Sequence, residues 1–252
     1  MNGTVASAEN RRLNGIFLPS FPQFRQYIGI FSRQAACAVY IILLYHTLQD
    51  TIYTWRGERL DWVGELEAYR PWNEQEWQDR AEMLRRLKSG EALFGRENPS
   101  AHFTASAWVV SPDRKRALLA YHRLYDSWAW LGGHADGEQD LAAVARREVE
   151  EESGLAGTRK VLPGIFSLEI LTVNGHEKHG VYVPSHLHLN VTYLLEGDPS
   201  LPVRCRPEEN SRVGWFALSD VPVVSSEPWM RERIYRKLNA KLEELSQNSE
   251  KT

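Results

Sequence analysis

Several short, largely apolar segments bounded by polar turn residues have the pattern of β-strands, and the segment that begins at His186 alternates strictly between polar and apolar residues. Two of these segments run from Thr104 to Val110 and from Arg116 to Tyr121, and the Ser111-Pro112-Asp113 turn between them predicts a hairpin. Further strands are predicted at Ile165 to Val173, His186 to Leu195 and Arg212 to Phe216. The pattern therefore predicts a sheet built from segments spread over more than a hundred residues.

Two segments with helical periodicity flank these strands. In the first, Asn73 and Glu76 have the spacing of a capping box, and Gly90 marks the predicted end of the helix. Its predicted apolar face consists of Trp77, Ala81, Leu84 and Leu87. Pro228 opens the second helix, whose predicted apolar side consists of Met230, Ile234, Leu238, Leu242 and Leu245.

A third helix is predicted between the strands. Asp136 and Gln139 have the spacing of a capping box at its start, and Gly154 is placed where a left-handed cap would end it. Its predicted apolar stripe consists of Leu141, Ala142, Val144, Ala145 and Val149. Strands on both sides of one helix predict an α/β or α+β layered domain.

Composition argues against a nucleic-acid-binding protein, a membrane-spanning protein and a disulfide-rich protein. The 252 residues carry a net charge of −3, so no basic surface for nucleic acid is indicated, and no DNA-binding motif is present. The apolar run from Ala35 to Tyr45 is too short to span a bilayer, which needs about 20 residues. A strand or helix packed on the body is favoured over a membrane-surface anchor. Cys37 and Cys205 form no disulfide framework, which fits a cytoplasmic protein.

Three carboxylates continue one edge of the apolar stripe on the central helix. Glu148, Glu151 and Glu152 are spaced i, i+3 and i+4, so they repel one another, and burying them costs several kcal/mol each without a compensating charge. Arg146 and Arg147 lie elsewhere on the helix wheel. A divalent cation that prefers oxygen ligands, Mg²⁺ or Mn²⁺, would compensate them. A solvated acidic face remains the alternative from spacing alone.

The stretch around this helix resembles the Nudix box, G-x5-E-x7-R-E-U-x-E-E-x-G-U, in which U is aliphatic. Eight of its nine specified positions match, namely Gly133, Arg147, Glu148, Val149, Glu151, Glu152, Gly154 and Leu155. Gln139 replaces the first glutamate of the box, and Leu131 replaces the proline that often precedes the paired glycines. The resemblance implies a mixed β-sheet between helices over roughly residues 100 to 225.

Changes of charge and periodicity along the chain, taken together with the resemblance, predict a domain organisation. Residues 1–60 would form an N-terminal extension that the family pattern does not cover, and residues 61–99 a helical lobe. Residues 100–225 would form the catalytic domain, and residues 226–252 a C-terminal helix with a frayed tail. The N-terminal extension is expected to be dispensable unless its apolar run completes the core.

The activity implied by the resemblance is metal-dependent hydrolysis of a diphosphate linkage in a small molecule. Glu148, Glu151, Glu152 and the carbonyl of Gly133 would hold Mg²⁺, or Mn²⁺. Catalytic roles are implied for Arg147, which orients the acidic cluster, and for Glu151, Glu152 and Glu209. Glu151 and Glu209 are the candidates for the general base. The expected substrate is a nucleoside diphosphate joined to another group, or a related organic pyrophosphate.

A second group of polar residues lies on the strand that begins at His186. His186, His188, Asn190 and Thr192 alternate with apolar residues and should share one face of the sheet. Three interpretations remain open: a wall of the substrate cleft in which His186 and His188 bind the ligand, a zinc site, or a solvated sheet face. The segment from His176 to His179 is bracketed by glycines and predicts a hairpin tip.

Other functional classes remain open from the sequence. Gln139 and Leu131 depart from the Nudix box, so a Nudix-fold sensor that binds a nucleotide-like ligand without turnover is the main alternative. An isomerase or another divergent Nudix chemistry is also compatible with the box. A homodimer is compatible with the sequence.

Overall fold

The chain divides into two units, Met1–Glu58 and Arg59–Thr252. The computed structural model describes residues 60–178 and 180–249, all within the second unit. The predicted extension, apart from Leu60, and the apolar run from Ala35 to Tyr45 therefore lie outside the described residues. Cys37 lies outside them as well.

The described residues form helices at both ends and a set of strands around one central helix. The helices are α1 (Trp62–Ala68), α2 (Glu74–Lys88), α3 (Leu141–Ser153), α4 (Val221–Val224) and α5 (Arg236–Ser249), the last preceded by a π-helical turn at Met230–Tyr235. The strands are β1 (Ala101–Val110), β2 (Arg116–His122), β3 (Ser127–Ala129), β4 (Leu131–His134), β5 (Arg159–Lys160), β6 (Ser167–Val173), β7 (His176–Lys178), β8 (Val181–Val183), β9 (His186–Glu196) and β10 (Asn210–Ala217). All five strands that the sequence pattern predicts are present.

Eight of these strands form one mixed sheet, whose main path runs β10-β2-β1-β9-β5. β1 and β9 are parallel along their whole paired length, from Ala101 opposite Leu187 to Val110 opposite Glu196. β4 pairs with β1 and β6 pairs with β9, both antiparallel. Strands β7 and β8 form a separate two-stranded hairpin, as predicted for the segment that begins at His176. The mixed sheet with helices confirms the predicted fold class.

The two faces of the sheet carry separate hydrophobic cores. On one face, Phe103 and Val191 pack in the same cluster as Leu141, Val144 and Val149 of α3. On the other face, a second cluster combines strand residues with the C-terminal helix. Its members include Trp108, Leu119, Leu194, Ile234, Leu238 and Leu242. The apolar side predicted for the last helix is therefore the side that packs on the sheet.

Helix α2 covers the edge of the sheet at β6. Gln75 Nε2 donates to the carbonyl of Leu168 at 3.0 Å, and the backbone N–H of Ile170 donates to Asp79 Oδ2 at 2.8 Å. These side chains satisfy backbone groups that an unpaired edge strand would otherwise expose. Helix α2 thus protects the sheet edge from pairing with another chain.

The predicted apolar face of α2 is wrong in part. Asn73 caps the helix as predicted, since its side chain accepts from the N–H of Glu76, but Trp77 is 51% exposed and Ala81 is exposed. Glu76 and Met83 are buried instead. The physical reason is that buried lysines neutralise Glu76.

Those lysines come from α5 and form a buried ionic network with α2 and β6. Lys241 Nζ lies 2.7 Å from Glu76 Oε1, and Lys237 Nζ lies 3.3 Å from the same oxygen. Lys237 also donates to Glu169 Oε1 at 2.9 Å. An acidic residue can therefore occupy the inward side of α2 at a position that an apolar pattern does not predict.

None of the helices among residues 60–178 and 180–249 is long and apolar enough to cross a membrane.

Candidate active site

Helix α3 begins later than predicted. Its N-cap is Asp140, whose side chain accepts from the N–H of Ala143 at 2.9 Å, and its first residue is Leu141. The predicted capping box of Asp136 and Gln139 is wrong because Asp136 (φ 47°) and Gly137 (φ 92°) form a left-handed turn that no helix continues. Gly154 ends the helix at φ 68°, as predicted.

The loop between β4 and α3 is tied to the helical lobe. Arg96 forms a bidentate ion pair with Asp136 at 2.6 and 2.7 Å. The indole N–H of Trp62 in α1 donates to the carbonyl of Gln139 at 3.0 Å. Gln139 therefore precedes the cap, and its backbone anchors the loop to α1. The capping role predicted for its side chain is absent.

The paired glycines of β4 lie directly against the acidic residues of α3. The N–H of Gly132 donates to Glu152 Oε2 at 3.1 Å. A Cβ atom at Gly133 would lie 2.5 to 2.8 Å from the carboxylate atoms of Glu148, so this position accepts only glycine without a shift of that side chain. The carboxylates of Glu148 and Glu152 therefore lie side by side between helix α3 and strand β4.

Two of the three predicted carboxylate ligands are wholly or partly shielded from solvent. Glu152 is only 6% exposed and Glu148 is half-buried, whereas Glu151 is exposed. Burial raises the pKa of Glu152 to about 8, with further contributions from Glu148 and Glu209. Burial also raises the pKa of Glu148, with Glu151 and Glu209 adding to the effect. The ionised carboxylates are therefore disfavoured at this place, and a bound cation would favour them and displace the proton.

Arginines link the acidic residues of α3 to Glu209. Arg147 Nη2 lies 2.9 Å from Glu148 Oε1, and its Nε lies 3.6 Å from Glu151 Oε1. Arg206 Nη1 lies 2.9 Å from Glu151 Oε2 and 3.3 Å from Glu209 Oε2. Helix α3 and the loop before β10 therefore contribute to one charged site.

Hydrogen bonds fix that loop on the C-terminal end of α3. Asn210 Nδ2 donates to the carbonyl of Glu152 at 2.9 Å, and the N–H of Arg204 donates to the carbonyl of Ser153 at 2.8 Å. Asn210 also accepts from the N–H of Arg206 at 3.0 Å. These bonds explain how Glu209, 57 residues after Glu152, comes to lie beside the helix.

The structure brings Gly133, Arg147, Glu148, Glu151, Glu152 and Glu209 together. Sequence reasoning missed Arg206 and Asn210. Arg206 precedes Glu209 by three residues in a loop, a spacing that suggests an ion pair but has no helical periodicity to support it. Asn210 carries no pattern that distinguishes it from a turn residue.

The donor set of this site fits a divalent cation that prefers oxygen. Its members are carboxylate oxygens and the Gly133 carbonyl, with no thiolate or imidazole among the residues predicted as ligands. Glu148 and Glu152 could bind such an ion in their present positions. Glu151 would have to turn away from Arg206 to join them.

His186 and His188, which were predicted to bind the substrate from a wall of its cleft, lie elsewhere, on the opposite face of the sheet from Glu148. Their Nε2 atoms are 3.2 Å apart, and both rings lie close to His102 and His134. Potential ligand atoms of these four histidines all lie within 4.8 Å of one another. Burial lowers the pKa of His188 to about 2, with the other histidines adding to the effect, and lowers that of His102.

The shared face of His186, His188, Asn190 and Thr192 is confirmed, and its solvated alternative is wrong. Asn190 is 2% exposed and Thr192 is fully buried. Thr104 and Ser106 of β1 both donate to Asn190 Oδ1, at 3.0 and 2.8 Å. The side chains of this face thus satisfy one another's hydrogen bonds inside the protein.

Comparison with known proteins agrees with the residues of the box. The sequence model of the NUDIX domain matches residues 101–238. A CMP-5'-(N-acetyl-N-hydroxy-3-aminopropyl)phosphonate hydrolase from Streptomyces rubellomurinus is 41% identical over 70 residues. That match covers 25% of this chain and 34% of the relative, so the chain spans about a third of the curated relative's length.

Solved structures similar to this chain include a NUDIX-family hydrolase from Clostridium perfringens, at 20% identity and a TM-score of 0.41, covering 57% of this chain and 97% of the other. The dihydroneopterin triphosphate pyrophosphohydrolase of E. coli is 15% identical, with a TM-score of 0.42 and coverage of 57% and 96%. The family match covers more than half of the sequence and contains the whole box. The chain therefore belongs to the Nudix hydrolase family.

Proposed function

We propose that this protein is a Mg²⁺-dependent hydrolase that cleaves a diphosphate linkage in a nucleoside diphosphate joined to another group. The observation that carries the proposal is the pair of carboxylates, Glu152 buried and Glu148 half-buried, held against the glycines of β4. The raised pKa values of these two groups mean that their ionised forms are unfavourable side by side, and a cation bound between them would compensate both charges.

Glu148, Glu152 and Glu151 would hold the ion, with the carbonyl of Gly133 as a further ligand. A divalent ion bound there supplies charge neutralisation for a diphosphate and makes water more acidic. Divalent metals such as Mg²⁺ are general in the Nudix family. Mn²⁺ has similar ligand preferences and is the expected substitute.

The protein's own side chains have separate roles in this proposal. Arg147 contacts Glu148 and holds its carboxylate in position, which makes it a positioning residue. Glu209 lies beside the cluster without belonging to α3, so it is the proposed acceptor for the proton of the attacking water. Glu151 is the alternative acceptor, and Arg206 contacts both candidates.

The relative from Streptomyces supports a nucleotide-linked substrate, because its name specifies CMP joined to an organic phosphonate. We infer the same broad class here: a nucleotide whose phosphate is linked to a second acidic phosphorus group. We also propose that the protein acts in the cytoplasm and binds no nucleic acid. Both a monomer and a homodimer are compatible with this activity.

A substrate panel with matched variants tests this function. The protein is incubated with Mg²⁺ and a set of nucleoside diphosphate derivatives, including CMP-linked compounds, and the phosphate-containing products are identified. Glu152→Gln should lower turnover by at least about 30- to 1000-fold, because it removes a ligand charge while keeping the size of the side chain. Glu150 is exposed on the other side of α3, so Glu150→Gln is the matched control.

The second candidate function is a sensor that binds a nucleotide without turning it over. Gln139 favours it, because the box has a glutamate at that position. Tight binding of a nucleotide diphosphate with no product over long incubation would support the sensor. A large gain in rate for Gln139→Glu would show that this chain has lost part of its catalytic charge.

A further inference from the structure

Four histidines from three strands meet on the face of the sheet away from α3. His102 lies opposite His188 in the parallel pair of β1 and β9, and His186 is two residues earlier on β9. His134 is the last residue of β4 and lies opposite Thr104, the neighbour of His102 on the same face of β1. The ring centroids are 4.7 to 5.2 Å apart for the five closest pairs.

Two of these rings are oriented by backbone carbonyls. His186 Nδ1 lies 2.9 Å from the carbonyl of Pro184, and His102 Nδ1 lies 3.3 Å from the carbonyl of Asn98. A ring that donates from Nδ1 to a carbonyl presents the lone pair of Nε2 on its other side, which is the usual arrangement around metal-binding histidines. The sequence alone does not reveal how these rings are oriented, because both acceptors are backbone carbonyls that every residue has.

The ring nitrogens of the cluster have the positions of potential ligands, since one nitrogen of each histidine lies within 4.8 Å of the others. His102 is only 6% exposed. Its Nε2 atom is buried and has no hydrogen-bond partner among the described residues. His186 Nε2 and His188 Nε2 are 3.2 Å apart. Two nitrogens bound tetrahedrally to one Zn²⁺ at about 2.0 to 2.1 Å are separated by roughly 3.3 Å. Two of the four potential ligands therefore already have the spacing of a zinc site.

A cation accounts for this arrangement better than an anion does. Binding a phosphate would need protonated rings, and several imidazolium groups about 5 Å apart in a buried site repel one another. Neutral imidazoles suit Zn²⁺, Cu²⁺ and Ni²⁺, whereas Mg²⁺ prefers oxygen. The cluster therefore has a ligand chemistry different from that of the glutamate site.

We propose that His102, His134, His186 and His188 form a second metal site, which binds one Zn²⁺ ion or a similar imidazole-preferring divalent ion. Four protein ligands make a closed site, the type that stabilises structure. The ion would join the ends of β1, β4 and β9, which enter the sheet from three distant parts of the sequence. Neighbouring residues of β4 would then serve two metals, since Gly133 faces Glu148 and His134 faces the histidine cluster.

Metal analysis of the full-length protein without a histidine tag tests the site. The protein is loaded with Zn²⁺ in the presence of excess Mg²⁺, dialysed, and its zinc content is measured by mass spectrometry. We expect about one Zn²⁺ per chain in the wild type. His102→Gln and His188→Gln should weaken zinc affinity by at least about 100-fold, because loss of a ligand should exceed the 10- to 100-fold effect of losing an outer-shell contact.

Two controls separate this site from other effects. His122→Gln changes a histidine of β2 outside the cluster, and Glu151→Gln changes the glutamate site. Both should retain the zinc of the wild type. Equal zinc content in the wild type and in His102→Gln or His188→Gln would overturn the proposal.

A measurement on the wild type keeps the test valid if a histidine variant fails to fold. Co²⁺ is added in place of Zn²⁺, and visible absorption is recorded during titration. Intense bands of tetrahedral Co²⁺ that saturate at one ion per chain, and disappear on addition of Zn²⁺, are expected. Absence of such bands together with absence of retained zinc in the wild type would overturn the proposal without any variant.

Discussion

Gly133 lies so close to Glu148 that a Cβ atom added to the glycine would come within 2.5 Å of the carboxylate carbon. A glycine in an extended strand is usually unfavourable because it packs no side chain. Here the absence of a side chain leaves room for the carboxylate of Glu148, which extends from α3 and lies against β4. The close contact with Glu148 thus explains why a glycine is needed at position 133, the second of the paired glycines.

Gly133→Ala should displace Glu148 and lower both turnover and metal affinity. We expect a loss of at least about tenfold in kcat/KM, equal to about 1.4 kcal/mol, with only a small loss of stability, because the atoms that must move are the end of the Glu148 side chain. Gly164→Ala is the control, because a Cβ atom there would meet nothing within 4 Å. Wild-type kinetics for Gly133→Ala would show that the position of Glu148 does not matter.

Mg²⁺ should stabilise the protein through Glu152. An ion present at a hundred times its dissociation constant adds about 2.7 kcal/mol, which corresponds to a rise in Tm of about 5 to 10 °C for a domain of this size. Glu152→Gln should lose most of this rise, while Glu150→Gln should keep it. Thermal unfolding with and without Mg²⁺ measures the difference, and an undiminished rise in Glu152→Gln would remove Glu152 from the ligand set.

The proposed proton acceptor can be separated from the metal ligands by its effect on catalysis alone. Glu209→Gln should lower kcat by about 10²- to 10⁴-fold and leave the Mg²⁺-dependent rise in Tm unchanged. Its exposed neighbour provides the control Glu208→Gln, which should retain wild-type kcat. If Glu151→Gln instead shows the catalytic loss with the metal response intact, Glu151 is the acceptor.

Local patterns predicted much of this structure because their causes are local. Short apolar segments bounded by turn residues predicted the strands, and Gly154 was predicted as a cap because its positive φ is a property of one residue. The start of α3 was misplaced for the opposite reason. Asp136 has the side chain of a cap, but its ion pair with Arg96, 40 residues away, holds it in a left-handed turn.

The histidine cluster could not be predicted in full because it depends on strand register. His186 and His188 were assigned to one face from alternation alone. His102 joins them only because β1 pairs in parallel with β9 at a particular offset, and His134 because β4 pairs with β1. The burial of Glu76 has the same kind of cause, since its lysine partners follow it by more than 150 residues.

Glu76→Gln should destabilise the protein by about 3 to 5 kcal/mol at neutral pH, because it leaves Lys237 and Lys241 buried with one counter-charge fewer. Glu74 lies on the same helix and is exposed, so Glu74→Gln should change stability by less than about 0.5 kcal/mol. Urea unfolding near neutral pH measures both. Stability of Glu76→Gln equal to the wild type would show that the ionic network adds nothing over a neutral hydrogen-bonded pair.

The same network predicts how acid destabilises the protein. Burial alone would raise the pKa of Glu76, but Lys237 and Lys241 outweigh that effect and lower the pKa from 4.5 to about 2. Below pH 4.5 the unfolded chain therefore binds a proton at this residue that the folded chain does not. The stabilisation by Glu76 is complete above pH 4.5 and is lost progressively as the pH falls towards 2.

The stability difference between the wild type and Glu76→Gln should consequently be constant from neutral pH to about pH 5 and shrink at lower pH. Urea unfolding of both proteins at several pH values, with Glu74→Gln in parallel, follows this difference directly. Glu74→Gln should differ little from the wild type over the whole range, because Glu74 is exposed. A difference for Glu76→Gln that stays constant down to about pH 3 would mean that the carboxyl group of Glu76 is not the charged partner of the two lysines.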